Sequence, residues 1–362
     1  MRSETFVCLL ASLLFVACQA SAQQPTNRLA QWEAAVKAHK PGGAGKATLA
    51  VADWPGFELE ETILEVKRLV RSYEKDRLDD GNDLLLRGAA MHADIARLIP
   101  HDLSRQSPRQ QRIFIVSDGR EQGTRFVSLH WDLGRSLLDG VSPPTHPAVL
   151  EWYQQTSTDL MAMLSLAEAA VHLPRARRIF PADPTLLYLS GILHERFSSA
   201  PLQAAAEAVV SGNSGVTSVS SARVEQARAE RFFRDALAAR PEHLEARVRY
   251  GHVLGELGRH AQAATELRSA IDRGAAGRLL YWAMLFLGKQ DEMLGNRDRS
   301  RVSYERAAGL FPLAQSPRLA LSQLARRAGD RRAAQRQLAE LAGLPADEQQ
   351  REDPWWDYYD VQ

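Results

Sequence analysis

Cysteine is nearly absent. Cys8 and Cys18 are the only two, and both lie in the N-terminal stretch 1–22 of the 362-residue chain. If that stretch is removed, the remaining chain has no disulfide and no thiol nucleophile, and packing alone must hold it together. Net charge is also nearly absent, at +1. No global field therefore draws the chain to nucleic acid or anionic lipid. Lysine occurs only at 37, 40, 46, 67, 75 and 289, and arginine carries the rest of the positive charge. After the N-terminal stretch, no segment is long and apolar enough to cross a membrane.

Signatures of chemistry are missing as well. GGAGKAT fails as a phosphate loop, because Lys40 stands where the first glycine belongs and Ala47 follows Lys46. His194-Glu195 fails as a zinc motif, because Ser198 stands where the second histidine should be. His194 is expected to pack or cap against its neighbours instead. His92 and His101, and His252 and His260, lack ligand spacing. His130 and Asp132 lie close in sequence with no nucleophile elbow. No catalytic residue, metal or cofactor is expected.

What is present begins with MRSETFVCLLASLLFVACQASAQQ. Arg2 gives a basic start, Phe6 to Ala17 an apolar stretch, and Ala20-Ser21-Ala22 a small-x-small cleavage pattern. Residues 1–22 read as a cleaved signal peptide and place the protein in an exported, periplasmic or secreted space. Phe15-Val16-Ala17-Cys18 offers a rival, a lipoprotein box with Cys18 acylated, although Phe15 replaces the usual leucine. Residues 23–57 read as a linker with one short helix, LAQWEAAVKAHK. Residues 58–146 read as a helical region, with helical periodicity over 58–75 and again over 82–98. Asn82 or Asp83 is expected to cap the second of these. Ile113-Phe114-Ile115-Val116 could form a short strand, and a further helix spans 125–141.

From 147 the sequence repeats. Ala229, Phe233 and Ala236 recur as Ala263, Leu267 and Ala270, 34 residues later. Ser300, Tyr304 and Ala307 follow 37 residues after those, then Ala334 and Leu338 a further 34 on. On the partner helices, Gly251, Gly288 and Ser322 keep the same step, and each is followed by a turn glycine at 258, 295 or 329. Ala169, Leu173, Ala176 and Gly191 extend the pattern backwards, and Pro181, Pro241 and Pro312 close units. A small residue at mid-helix lets the partner helix approach, and a large side chain fills the space beside it.

This 34-residue helix–turn–helix pattern resembles the tetratricopeptide repeat family. The fold class implied is all-α, an α-solenoid over 147–348 preceded by a less regular helical region. Its units are roughly 150–183, 184–243, 244–277, 281–314 and 315–348. The first is degenerate, with Ser157 for the expected glycine and Pro174 inside its second helix. The second carries an insertion of about 26 residues, near 198–223.

The resemblance implies a non-enzymatic scaffold whose concave wall is lined by the first helices of each pair. On this chain the wall would comprise Glu245, Val248 and His252, then Trp282, Leu285, Lys289 and Glu292, then Ser316, Leu319, Gln323 and Arg326. Such a surface suits a helix or an extended peptide of another envelope or secreted protein. Some members clamp a C-terminal carboxylate with lysines and asparagines. Val248, Leu285 and Leu319 stand at those positions here, which argues against a clamp. A lipid-anchored assembly factor and an enzyme using the N-terminal half are the alternatives. The segment 349–362 carries Trp355, Trp356, Tyr358 and Tyr359 among acidic residues. It is expected either to fold back on the repeats, at their end or in the groove, or to dock on another protein.

Overall fold

The computed structural model describes residues 34, 36–40, 81–104, 130–163, 165–200, 202–203, 220–346 and 352–358. The leader, Trp32, the 58–75 helix, the possible strand at 113–116 and Tyr359 lie outside the described residues. The chain divides into two compact units, Met1–Trp152 and Tyr153–Gln362. Among the described residues there is no strand.

In the first unit, residues 36–38 are helical, as expected of the short helix there. Helix α1 (Gly81–Ser104) and α2, described over 130–138, follow. Because α1 starts at Gly81, Asn82 and Asp83 lie inside its first turn and are not its cap. The Asn82 side chain instead bonds the Ser142 backbone twice, at 2.7 and 3.1 Å. Trp131 is fully buried and meets Trp152 edge-on at 6.3 Å, and the Trp152 indole donates to the Ala89 carbonyl at 3.0 Å. These contacts place Trp152 in the first unit, and the division between the units falls inside α3 (Pro147–Ala162).

The second unit continues with α4 (Leu166–Ile179), α5 (Pro184–Phe197), α6 (Ala222–Ala239), α7 (Leu244–Glu256) and α8 (His260–Asp272). It ends with α9 (Gly277–Met293), α10 (Arg297–Leu310), α11 (Ser316–Arg327) and α12 (Arg331–Ala342). Four antiparallel hairpins result: α5–α6, α7–α8, α9–α10 and α11–α12. The sequence explains their starts. The Asp183 carboxylate accepts the Leu186 amide with Pro184 at the first helical position, and Asp330 accepts the Ala333 amide. Gly258, Gly295 and Gly329 turn the last three hairpins at φ of +81, +80 and +81°, a region that penalises a Cβ.

The small positions act as the repeat pattern requires. A Cβ on Gly191 would lie 2.5 Å from the Phe233 ring, one on Gly251 2.7 Å from Leu267, and one on Gly288 2.5 Å from the Tyr304 ring. In the fourth hairpin, Ser322 donates to the Ala334 carbonyl at 3.2 Å. The facing positions Ala229, Phe233, Ala236, Ala263, Leu267, Ala270, Ser300 and Ala307 are all fully buried. Leu338 keeps the spacing but is 48% exposed, because no described helix follows α12 to cover it.

The insertion falls between α5 and α6, where the broken period placed it. Its base is pinned: the Gln203 side-chain amide donates to Phe197 O at 2.7 Å and to Ser220 O at 3.2 Å, and Ser221 caps α6. Most of it, 204–219, lies outside the described residues.

Gly288→Leu is expected to drive α10 away from α9 and to destabilise the second unit by about 1–3 kcal/mol. Gly251→Leu should act alike on α7 and α8. Thermal or denaturant unfolding of both variants checks this; parental midpoints would refute the assigned register.

Candidate functional site

Helix α11 begins without a cap of its own: Gln315 precedes it and makes no side-chain capping bond. The first amides of a helix need acceptors. Asp353, from the C-terminal segment, supplies one. Its Oδ2 accepts from Gln315 N at 3.0 Å, Ser316 N at 2.9 Å and Ser316 Oγ at 2.7 Å. The helix dipole reinforces these charge-assisted bonds. Its Oδ1 accepts from the Tyr281 hydroxyl at 2.6 Å and from the Trp355 amide at 3.0 Å. Burial, and then the bond to this carboxylate, push the Tyr281 phenol well above its ordinary value, so Tyr281 remains the donor.

One oxygen of Asp353 thus caps α11 and the other caps the segment's own turn. Successive bonds from Trp356 N to Asp353 O, Asp357 N to Pro354 O and Tyr358 N to Trp355 O, at 3.2, 3.2 and 3.3 Å, wind 353–358 into a tight turn. Pro354 fits because the first position of a turn needs no donor. In i→i+3 geometry, side chains three apart eclipse. Trp355 and Tyr358 accordingly stack, 6.0 Å apart and 5° from parallel, while Trp356 points out at 55% exposure.

The paired rings enter the concave face. Trp355 meets Phe286 edge-on at 5.9 Å, and the Trp282 indole donates to Pro354 O at 2.8 Å. Tyr358 is fully buried, edge-on to Phe286, His252 and Trp282 at 5.0, 5.1 and 5.4 Å. Burying such a ring contributes on the order of 1.5–3 kcal/mol. Its hydroxyl donates to Glu195 Oε1 at 2.5 Å, and its carbonyl accepts from Arg249 Nη2 at 2.8 Å. The Arg249 guanidinium also lies over the Tyr358 ring, 4.7 Å from its centre.

Glu195 and Arg249 form a buried ion pair, Oε2 to Nη1 at 3.0 Å, with Glu245 on Arg249 Nε at 3.0 Å and His252 Nδ1 on Glu195 Oε1 at 2.9 Å. Burial alone would raise the Glu195 carboxyl. The hydrogen bond from His252, the charges of Arg249 and His252 and the bond from Tyr358 outweigh it, and the net shift is downward.

Beside the seated turn, a cavity of about 850 Å³ stays open. Its floor is Leu285, Phe286, Ala320 and Trp355, and its far side is the base of the insertion, Ser198 to Ala200 and Gln203. The charges on its rim pair with each other: Lys289 with Glu256 and Arg327 with Glu292, both at 2.7 Å.

The residues expected on the concave wall divide into three groups. His252, Leu285, Lys289, Glu292, Ser316 and Gln323 line the cavity with Trp355. Trp282 and Ser316 hold the turn, Glu245 braces Arg249, and Val248 is fully buried in the core cluster that includes Tyr358. Leu319, 38% exposed, and Arg326, exposed, do not line the cavity; Arg327 does. The seated segment is a helical turn, not an extended strand of peptide. It runs into the groove and not over α12.

Sequence reasoning missed Glu195, Arg249, Tyr281 and Phe286. The register held a signal for the first: Glu195 stands four residues after Gly191, as Glu292 does after Gly288. His194, as expected, packs on its neighbours: it bonds Glu225 at 2.6 Å and stacks on Phe232. In the first unit, His92 and His130 meet Nδ1 to Nδ1 at 2.9 Å. Burial, then the neighbouring His130, lowers His92, and burial lowers His130 to about 4, so near neutral pH one ring donates and the other accepts. Among the described residues, no three His, Cys, Asp or Glu side chains converge as a metal site.

Glu195→Gln is expected to lower stability at pH 7 by about 3 kcal/mol, since it leaves Arg249 buried with a weaker partner. The folded Glu195 carboxyl is depressed, so its contribution is complete above the unfolded value of 4.5 and is lost as pH falls below it. The gap between parent and variant should therefore close in acid, as followed by thermal melts from pH 7 to pH 3. A gap independent of pH would refute the ionised pair.

No family model matches the chain, and no curated protein matches it. Solved structures do. MamA residues 41 to the end from Desulfovibrio magneticus RS-1 is 21% identical, over 54% of this chain and 94% of that one, with a TM-score of 0.41. A structure concerned with pilF of Pseudomonas aeruginosa is 16% identical, over 56% of this chain and 79% of that one, with a TM-score of 0.42. MamA of MSR-1 is 14% identical, over 53% and 94%, at 0.39. No functional inference follows from likeness at this level. On its own 34-residue period and the close approach of its mid-helix glycines to facing side chains, the second unit of this chain is an α-solenoid of helix–turn–helix repeats.

Proposed function

We propose that the protein is a non-enzymatic interaction scaffold whose concave groove receives a segment of a protein partner. One observation carries this reading: the groove already seats a six-residue turn, 353–358, through side chains and backbone groups of four successive hairpins. Repeat grooves bind helical segments by anchoring side chains on one face, and the Trp355–Tyr358 face is such an anchor. The open cavity beside it has an apolar floor and a rim of mutually paired charges, which suits an uncharged, apolar partner surface rather than a charged small molecule.

The leader-like N-terminus supports an exported protein working on another envelope or secreted protein. No helix among the described residues is long and apolar enough to cross a membrane; acylation of Cys18 would attach the protein to one.

Two measurements check these proposals. A photo-crosslinking amino acid at Gln323, which is exposed on the cavity, should give one discrete adduct with another protein in the native cell. No adduct at any stage of growth would refute the scaffold reading. The intact mass of the native protein should begin at Gln23. A diacylated Cys18 would make it a lipoprotein, and an uncleaved chain would refute export through this leader.

A further inference from the structure

A segment that merely closed the solenoid would be needed at α12, where Leu338 is 48% exposed. The 353–358 turn goes elsewhere. It enters the concave face and meets polar partners group by group: the Asp353 carboxylate, the Pro354 carbonyl, the Tyr358 hydroxyl and the Tyr358 carbonyl each have a dedicated donor or acceptor. The outward side chains are not read in this way. Trp356 is 55% exposed, and among the described residues the Asp357 carboxylate pairs with the half-exposed Arg278, at 3.0 Å. Side chains matched on one face and left free on the other, with the backbone fixed in register, describe a groove reading a sequence.

We propose that the groove is a recognition site for an acidic–aromatic turn of the form Asp-Pro-Trp-x-x-Tyr, that the chain's own 353–358 segment occupies it in cis, and that the partner's binding segment carries the same four anchors and takes its place. This rests on the scaffold reading and specifies its ligand.

Each anchor has a physical role. The acidic residue must cap two turns at once, its own and α11, which asparagine cannot do with full charge. Proline presets the turn. Tryptophan and tyrosine must stand three apart, because only then do the rings eclipse into the single wedge that fits between Phe286, Trp282 and His252. Tyrosine is required over phenylalanine because Glu195 and His252 converge on the hydroxyl, and a ring without it leaves a buried carboxylate short of one donor. The cis segment is tethered near its site, so it competes at an effective concentration on the order of millimolar. A partner must therefore carry additional contacts, for which the adjoining cavity provides room, or meet a chain whose segment has left.

The test uses a fluorescein-labelled peptide of residues 352–362 and fluorescence anisotropy. The chain truncated after Arg351 should bind this peptide saturably, and the full chain should bind it at least about tenfold more weakly. Peptides carrying Asp353→Asn or Tyr358→Phe should each lose at least about tenfold on the truncated chain, whereas Trp356→Ala should change binding less than about twofold. A truncated chain that melts cooperatively but does not bind the peptide overturns the proposal. So does a Trp356→Ala peptide that loses as much as Tyr358→Phe. If truncation abolishes the cooperative melt, the full chain carrying both Asp353→Asn and Tyr358→Phe replaces it. That chain should bind the unmodified peptide about tenfold more tightly than the parent does, and equal affinities overturn the proposal. Peptide binding without any crosslinked protein at Gln323 would keep this site and remove the scaffold reading; a crosslinked protein without peptide binding would do the reverse.

Discussion

A single buried carboxylate ties the repeats to the C-terminal segment. Glu195, on α5, holds Arg249 and His252 on α7 and the hydroxyl of Tyr358. An unpaired carboxylate at that depth would cost several kcal/mol, so its three partners constrain one another. Arg249 in turn is fixed by Glu245 and by the Tyr358 carbonyl. The first helices of two hairpins and the distant 353–358 turn are thereby locked at one point. The rest of the turn follows: once Tyr358 is placed, Trp355 stacks beside it and Asp353 reaches the bare start of α11.

Much of the solenoid could be read in advance, because its packing rule is local and periodic. Gly191, Gly251 and Gly288 each face the side chain the pattern assigned, and Ser322 bonds the Ala334 backbone at the equivalent step. At the last repeat Leu338 has the right spacing but stays exposed, since no helix among the described residues follows α12. On α11 the cavity is lined by Ser316, Ala320, Gln323 and Arg327. Asn82 and Asp83 looked like caps by residue type, yet tertiary bonding to Ser142 claimed Asn82 once the helix began earlier.

The site was less legible than the fold. The aromatic segment could be singled out by composition, and its return to the repeats was one of the expected outcomes. The groove face was not readable, because it depends on pairings more than a hundred residues apart, such as Arg249 with Tyr358. The turn conformation was implicit in Asp353-Pro354, an acidic residue before a proline, with two rings at an interval of three. Only the presence of α11 without a cap of its own explains why Asp353 is the residue that anchors it.

Hydrogen exchange at the Gln315 and Ser316 amides addresses the central claim most directly, since Asp353 is their acceptor across the groove. The full chain should protect both amides, and Asp353→Asn should speed their exchange by about tenfold or more while the amides of α9 keep their protection. Equal exchange in parent and variant would mean that the segment does not occupy the groove, and the account would fall.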